Sequence, residues 1–168
     1  EASGRCAGPH ARVGGSGANA VRIGREFEFK CEDALVDLVK SRGHSCDVVN
    51  YGERKKLLCS SAVMKVTRQH RKPHILRKDW GLVDRVVQIR GLPESNIEVK
   101  TQGGGGSVDE KIPCVLENFA LALNRGESSH LVLDGLGFTN TLITWAQQKA
   151  DDLTCATHGV SSRVELSC

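Results

Sequence analysis

The chain has 168 residues, 39% hydrophobic but only 4% aromatic, and a formal net charge of +3. That is enough apolar material for one ordinary domain or two very small ones, with a mainly aliphatic core. No apolar run is long enough to cross a bilayer, so no membrane partner is expected.

The charge is unevenly spread. Residues 20–91 carry sixteen Lys/Arg against nine Asp/Glu, and residues 96–168 carry five against nine. Such asymmetry suggests that the front half meets a polyanion and the rear half meets something else. The seven cysteines stand at 6, 31, 46, 59, 114, 155 and 168. Their odd number and the lack of any Cys-x-x-Cys argue for reduced thiols over a disulfide framework or a zinc knuckle. No metal and no cofactor is expected.

In chain order, residues 1–18 are rich in Gly, Ala and Ser and read as a flexible N-terminal arm. Their Arg-bearing, acid-poor composition fits the remnant of a cleaved organelle transit peptide, and equally a chain trimmed at its start. Ala20-Val21-Arg22-Ile23 alternates apolar and polar residues and predicts a strand. Glu32 to Lys40 predicts a helix, stopped by Ser41-Arg42-Gly43. Cys46 to Val49 predicts a strand and Asn50-Tyr51-Gly52 a turn. Glu53 to about His70 predicts a second helix, ended by Pro73. Ile75 to Ile89 predicts two strands around a hairpin tip at Asp79-Trp80-Gly81. Ile97-Glu98-Val99 predicts another strand. Gln102 to Ser107 is a glycine-rich loop that reads either as a natural phosphate-wrapping loop or as a laboratory linker.

The stretch 129–148 organises the remainder. His130 to Leu133 is a short apolar run suited to a buried strand. Gly135-Leu136-Gly137 turns the chain, and Thr139 or Asn140 can cap a helix carrying Leu142, Ile143, Ala146 and Ala150. Free backbone N–H groups at such a turn form an anion site. A preceding helix spans 112–124 and closes at Gly126, and Arg163-Val164-Glu165-Leu166 predicts a final strand.

This order, with its Gly-Leu-Gly turn and late Ser-x-Arg-Val-Glu-Leu strand, resembles the Alba family, in particular the small Alba-type subunits of RNase P and RNase MRP. The resemblance implies a β-α-β-α-β-β fold over 96–168. Residues 20–91 repeat the order in outline: Asn124-Arg125-Gly126 answers Ser41-Arg42-Gly43, and Gly135 answers Gly52. The expected fold class is therefore α/β, an α+β two-layer arrangement of two tandem Alba-like units, basic over 19–92 and acidic over 96–168. The opening β-α-β could alternatively belong to a phosphosugar isomerase, with Lys40-Ser41-Arg42-Gly43-His44 as its helix end.

The basic residues expected to contact nucleic acid are Arg22, Arg25 and Lys30, then Arg54, Lys55 and Lys56, then Arg68, Arg71, Lys72, Arg77, Lys78 and Arg85, with Trp80; the resemblance implies contacts over Arg25–Lys30, Asn50–Lys56 and Arg77–Arg85. Neutralising phosphates makes affinity fall with salt, and Trp80 at a hairpin tip could stack on an unpaired base. Catalysis is not expected: Ser129, His130 and Asp134 alternate across a strand and cannot converge. The expected function is a non-catalytic RNA-binding subunit of a ribonucleoprotein. Its partners would be RNA and neighbouring protein subunits, in an intramolecular pseudo-dimer or a hetero-oligomer. The expected location is the mitochondrial matrix, with nucleus or cytoplasm as alternatives. A protein–protein scaffold without RNA contact, or a small phosphosugar enzyme, are the competing readings.

Overall fold

The computed structural model describes residues 17–75, 77–103, 108–155 and 162–166. The arm expected over 1–18 lies almost wholly outside them, as does most of the glycine-rich loop.

Helix α1 spans Gly17–Ser41. Glu28, Glu32, Leu35, Val36 and Val39 fall on one of its stripes and turn toward the sheet. Its end closes where Gly43, at φ +78°, lets the His44 amide reach the Val39 carbonyl and the Gly43 amide reach that of Lys40. The strand expected at Ala20–Ile23 is thus the start of a long helix. A four-residue alternation weighed less than the stripe that continues to Val39.

Six strands come after it: β1 (Cys46–Asn50), β2 (Met64–His74), β3 (Arg77–Ile89), β4 (Ser95–Thr101), β5 (Ser128–Asp134) and β6 (Ser162–Leu166). They form one sheet in sequence order. The β1–β2, β4–β5 and β5–β6 pairs are parallel, and β2–β3 and β3–β4 are antiparallel. The helix expected over Glu53–His70 is a 3-10 helix at Tyr51–Cys59 followed by β2. Met64 and Val66 are fully buried at alternate positions, so a period of two won there. Pro73 sits inside β2, and Asp79-Trp80-Gly81 lies within β3 rather than at a hairpin tip.

The mixed α/β class holds, but the tandem repeat does not. The front half runs α-β-β-β and the rear half β-α-β-α-β, and the sheet continues across Leu92–Ser95 through the β3–β4 pair. The rear elements match expectation: α2 spans Ile112–Leu123 and α3 Asn140–Cys155, with the Leu142 amide donating to Thr139 Oγ1 at 3.2 Å.

The core has two parts. Met64, Val66 and Val87 pack with Leu35, Val36, Val39 and Ile97 beneath α1. Ile112, Leu116, Phe119, Leu131, Leu133 and Ala146 pack beneath α2 and α3. Alternate residues of a strand face opposite sides, so these clusters lie on opposite faces of the sheet. The Gly-Leu-Gly turn serves this packing. Gly135, at φ +102°, lets its backbone approach the Gln102 carbonyl too closely for any Cβ, and the Gly137 amide donates to that carbonyl at 2.8 Å. One of the N–H groups expected to meet an anion, that of Gly137, is spent on the end of the neighbouring strand.

Candidate active site at the sheet fork

The β3–β4 ladder pairs Val87 with Ser95, Val86 with Asn96 and Arg85 with Ile97, and goes no further. Beyond that point β3 stays with β2, while β4 stays with β5 as far as Thr101. The sheet therefore forks. At the crotch Asp84 replaces a ladder partner: its Oδ2 accepts the Val99 amide at 2.9 Å. Across the other ladder, the register steps from Arg68–Arg85 to His70–Val83 without pairing Gln69 with Asp84. Gln69 has φ +52°, the left-handed region, and its side-chain amide donates to Asp84 Oδ1 at 3.5 Å. The irregular backbone on both sides holds one carboxylate in the fork.

Glu98 and Lys100, two apart on β4, share a face. The Lys100 ammonium lies 2.7 Å from Glu98 Oε2, 3.2 Å from Asp84 Oδ2 and 3.1 Å from the Val99 carbonyl. Three oxygens thus surround one cation. All three charged side chains are largely buried. Two carboxylates against one ammonium leave the cluster with excess negative charge. Burial, opposed by Lys100 and reinforced by Asp84, pushes the Glu98 carboxyl up to about 7. Burial also works against the Lys100 charge, but Glu98 and Asp84 outweigh it and hold the ammonium above its usual range. Lys100 is cationic at any working pH, and Glu98 is the group near balance.

The pH dependence has a definite sign. Glu98 is harder to ionise folded than unfolded, so its contribution to stability is intact below about 4.5 and is lost as pH rises through about 7. Without divalent metal, Glu98→Gln is expected to gain on the wild type by about 3 kcal/mol between pH 4.5 and 8. Urea unfolding of both proteins at each pH measures it.

From α1, a second layer braces the fork. Glu32 accepts from Arg68 Nε at 2.8 and 3.0 Å and from Arg85 Nε at 2.6 Å, and Glu28 accepts from Arg85 Nη1 at 3.1 Å. The Phe29 ring lies 5.0 Å from the Arg68 guanidinium carbon and 5.4 Å from that of Arg85. Burial would raise the Glu32 carboxyl, but hydrogen bonds and charge from the two arginines bring it below the usual range. Burial and then Asp84 raise the Glu28 carboxyl, against the lowering effect of Arg85. A pocket of about 470 Å³ opens here between Gly24, Arg25 and Glu28 of α1 and Asn50, Gln69 and Asp84.

The structure scatters the cations expected to bind nucleic acid. Arg22, Arg25 and Lys30 are exposed on α1, and Arg22 pairs with Glu26. Arg54, Lys55 and Lys56 are exposed on the 3-10 helix, with Lys56 paired to Glu53 and Arg54 over the Tyr51 ring. Arg71 is exposed on β2. Arg68 and Arg85 are bound up with Glu32, and Lys72 with Glu94 and Glu127. Arg77, Lys78 and Trp80 lie on β3, their side chains outside the described residues. Sequence reasoning passed over Asp84, Glu98 and Lys100. The available signal was an acidic residue, an apolar residue and a lysine in succession on a strand, with an aspartate on the strand before it.

The ammonium already held in the crotch shows that a cation fits there. Among the described residues no group of three His, Cys, Asp or Glu side chains gathers at metal-ligand spacing. The three oxygens around Lys100 come from two carboxylates and a backbone carbonyl, an all-oxygen set suited to a hard divalent ion such as Mg²⁺.

Comparison with known proteins bears on the same strands. Residues 42–166 match the PD-(D/E)XK nuclease superfamily domain. The structure of SfsA from Pyrococcus furiosus in complex with Ca²⁺ is similar at 16% identity and a TM-score of 0.37, covering 66% of this chain and 51% of that one. The chain thus spans about half the length of that protein. No curated protein matched the chain. The family match overturns the Alba resemblance, the expectation of a non-catalytic RNA-binding subunit and the exclusion of an enzyme. Strand order misled because the rear β-α-β-α-β is shared in outline by both folds. From β1 through β6, the chain belongs to the PD-(D/E)XK nuclease superfamily.

Proposed function

We propose that the protein hydrolyses phosphodiester bonds in nucleic acid, with Asp84, Glu98 and Lys100 at the reacting centre. The observation that carries this reading is the cage of three oxygens around the Lys100 ammonium at the fork. Glu98-Val99-Lys100 supplies the (D/E)XK element of the family name and Asp84 its aspartate, with Val83 standing where the name has proline. Asp84, Glu98 and the Val99 carbonyl would hold a divalent ion in the place the Lys100 ammonium takes here, with the ammonium displaced toward the substrate phosphate; when bound, the ion supplies a Lewis acid and a water of lowered pKa. Lys100 brings a permanent positive charge to where phosphate charge grows in the transition state. Glu28, which lines one pocket with Asp84, adds a carboxylate that can orient water. Gln69 holds Asp84 from the β2 side. Arg25, Arg54, Lys55 and Arg71 are the exposed cations we assign to the backbone of the bound strand, where each phosphate neutralised makes binding more salt-sensitive.

The test is cleavage of labelled single- and double-stranded DNA and RNA by the full chain. Cleavage is expected with Mg²⁺ or Mn²⁺ and none with EDTA. A chain that binds these polymers yet leaves all of them intact with either ion sinks the reading. A companion readout is proton release: a cation seated on Glu98 displaces its proton near pH 7, so calorimetry in buffers of different ionisation heat should register protons released with the metal.

A further inference from the structure

On the opposite side of the sheet from α1, a cavity of about 510 Å³ lies between β3, β4 and α2. It is a second space, but it meets the reacting centre, because Glu98 and Lys100 form part of its wall. Its sides are apolar where β3 and α2 face each other, at Leu82, Val115 and Phe119. Its floor is not. Asn96 and Ser129 line it at 4% and 0% exposure. Asn96 Oδ1 and Ser129 Oγ are buried without a hydrogen-bond partner among the described residues.

Those two atoms point to a ligand. A buried polar atom left unpaired costs roughly 1–3 kcal/mol, so two side by side on one cavity wall call for a partner from outside the chain. The Asn96 amide cannot satisfy itself by turning over. Its Nδ2 already donates to Glu127 Oε2 at 2.9 Å and to the Ser128 carbonyl at 3.3 Å, leaving Oδ1 as an acceptor. Glu127 is fixed in turn. Burial opposes its charge, but hydrogen bonds from Arg125 and Asn96 and the charge of Lys72 bring it down to about 2. The wall therefore offers a fixed acceptor beside a hydroxyl that can donate or accept.

Apolar sides with an acceptor and a hydroxyl on the floor suit the hydrogen-bonding edge of a nucleobase. We propose that this cavity is a nucleobase pocket, which takes the unpaired base of the nucleotide flanking the scissile phosphate. The placement rests on the nuclease reading, because a phosphate at Lys100 puts its own nucleotide within reach of the wall that Glu98 and Lys100 share. A base held there cannot be paired in a duplex, so the substrate class is nucleic acid with an unpaired or extruded nucleotide at the cleavage position. Lys111, also on the wall, brings a second cation for that nucleotide's phosphate.

The experiment uses the full chain without divalent metal, so no cleavage is needed. Calorimetry measures binding of dAMP, dCMP, dGMP and dTMP, with deoxyribose 5-phosphate as the baseless control. At least one nucleotide should bind five-fold or more tightly than the control. That nucleotide should also slow alkylation of Cys114, which lines the cavity, relative to Cys59, which is exposed elsewhere. Ser129→Ala removes a hydroxyl that has no partner among the described residues, so the variant should melt no lower than wild type while losing about fivefold in affinity. A control sugar phosphate that binds as tightly as every nucleotide overturns the pocket. So does a stable Ser129→Ala variant with affinity within twofold of wild type. Base-dependent binding in a protein that cleaves nothing would leave the pocket standing and remove the nuclease reading. Cleavage without base-dependent binding would do the reverse.

Discussion

Lys100→Met is expected to lower phosphodiester cleavage by about 10³-fold, with nucleic-acid binding weakened far less. Removing one preorganised charge from a transition state typically costs 10²–10³ in kcat. Lys100 belongs at the upper end because its charge is held by two partners and is largely shielded from solvent. With Glu98 and Asp84 outweighing burial, the group is an ammonium throughout the neutral range. It acts by charge and not by taking a proton. Lys100→Arg, which keeps the charge but not the compact fit between three oxygens, should recover a part of the rate. Single-turnover cleavage alongside filter binding measures both quantities. The Met variant also leaves Asp84 and Glu98 facing each other without their cation. Its folding is therefore best compared at pH 5, where Glu98 is mostly protonated. A Lys100→Met protein that is folded and cleaves within tenfold of wild type removes Lys100 from the reacting centre.

Arg85→Ala is expected to destabilise the fold by about 3 kcal/mol, the cost of leaving a buried carboxylate short of its partner. Glu32 and Arg85 are only 2% and 5% exposed at their side chains. Losing Arg85 removes one donor from Glu32 and the ion pair of Glu28, while Arg68 continues to hold Glu32. That residual partner keeps the loss from being larger. The double variant Glu32→Leu with Arg85→Met should recover much of the stability, since matched apolar pairs replace buried ion pairs at little cost. Urea unfolding at neutral pH gives both numbers. Glu32 also sets an acid limit. Its carboxyl is held below the usual range by its arginines, so its contribution is present above about 4.5 and is lost as pH falls through the lowered value. This runs opposite to Glu98, whose loss comes on the alkaline side.

The rear half of the chain was legible because each element had one dominant period. The Ile112–Leu123 helix buries Ile112, Val115, Leu116, Phe119 and Leu123 at helical spacing, and β5 buries Ser129, Leu131 and Leu133 at alternate positions. The front half misleads where side chains answer to the fork. Strand β2 carries Lys65, Arg68, Gln69, Arg71 and Lys72, which locally look like a charged helix face. Partners distant in sequence let such a strand pass through the sheet: Glu32 of α1 for Arg68, Asp84 of β3 for Gln69, the Leu57 carbonyl of the 3-10 helix for Lys65, and Glu94 and Glu127 for Lys72. The basic run reads as a nucleic-acid surface for the same reason. Sequence shows a guanidinium at 68 or 85, but not the glutamate of α1 that neutralises it.

Periodicity, glycine punctuation and cysteine spacing by themselves determined a mixed α/β chain, its rear helices and strands, and the basic front against an acidic rear. These depend on contacts between residues close in sequence. The reacting centre does not, because Asp84 and Glu98 stand in different strands and neither has unusual neighbours in the chain. Tertiary structure decided it: the β3–β4 ladder ends at the Arg85–Ile97 pair while β4 runs on to Thr101, and into that gap come two carboxylates that share one ammonium. Burial there shifts the balance of charge, and a fork in the sheet is a relation between strands that no local period encodes.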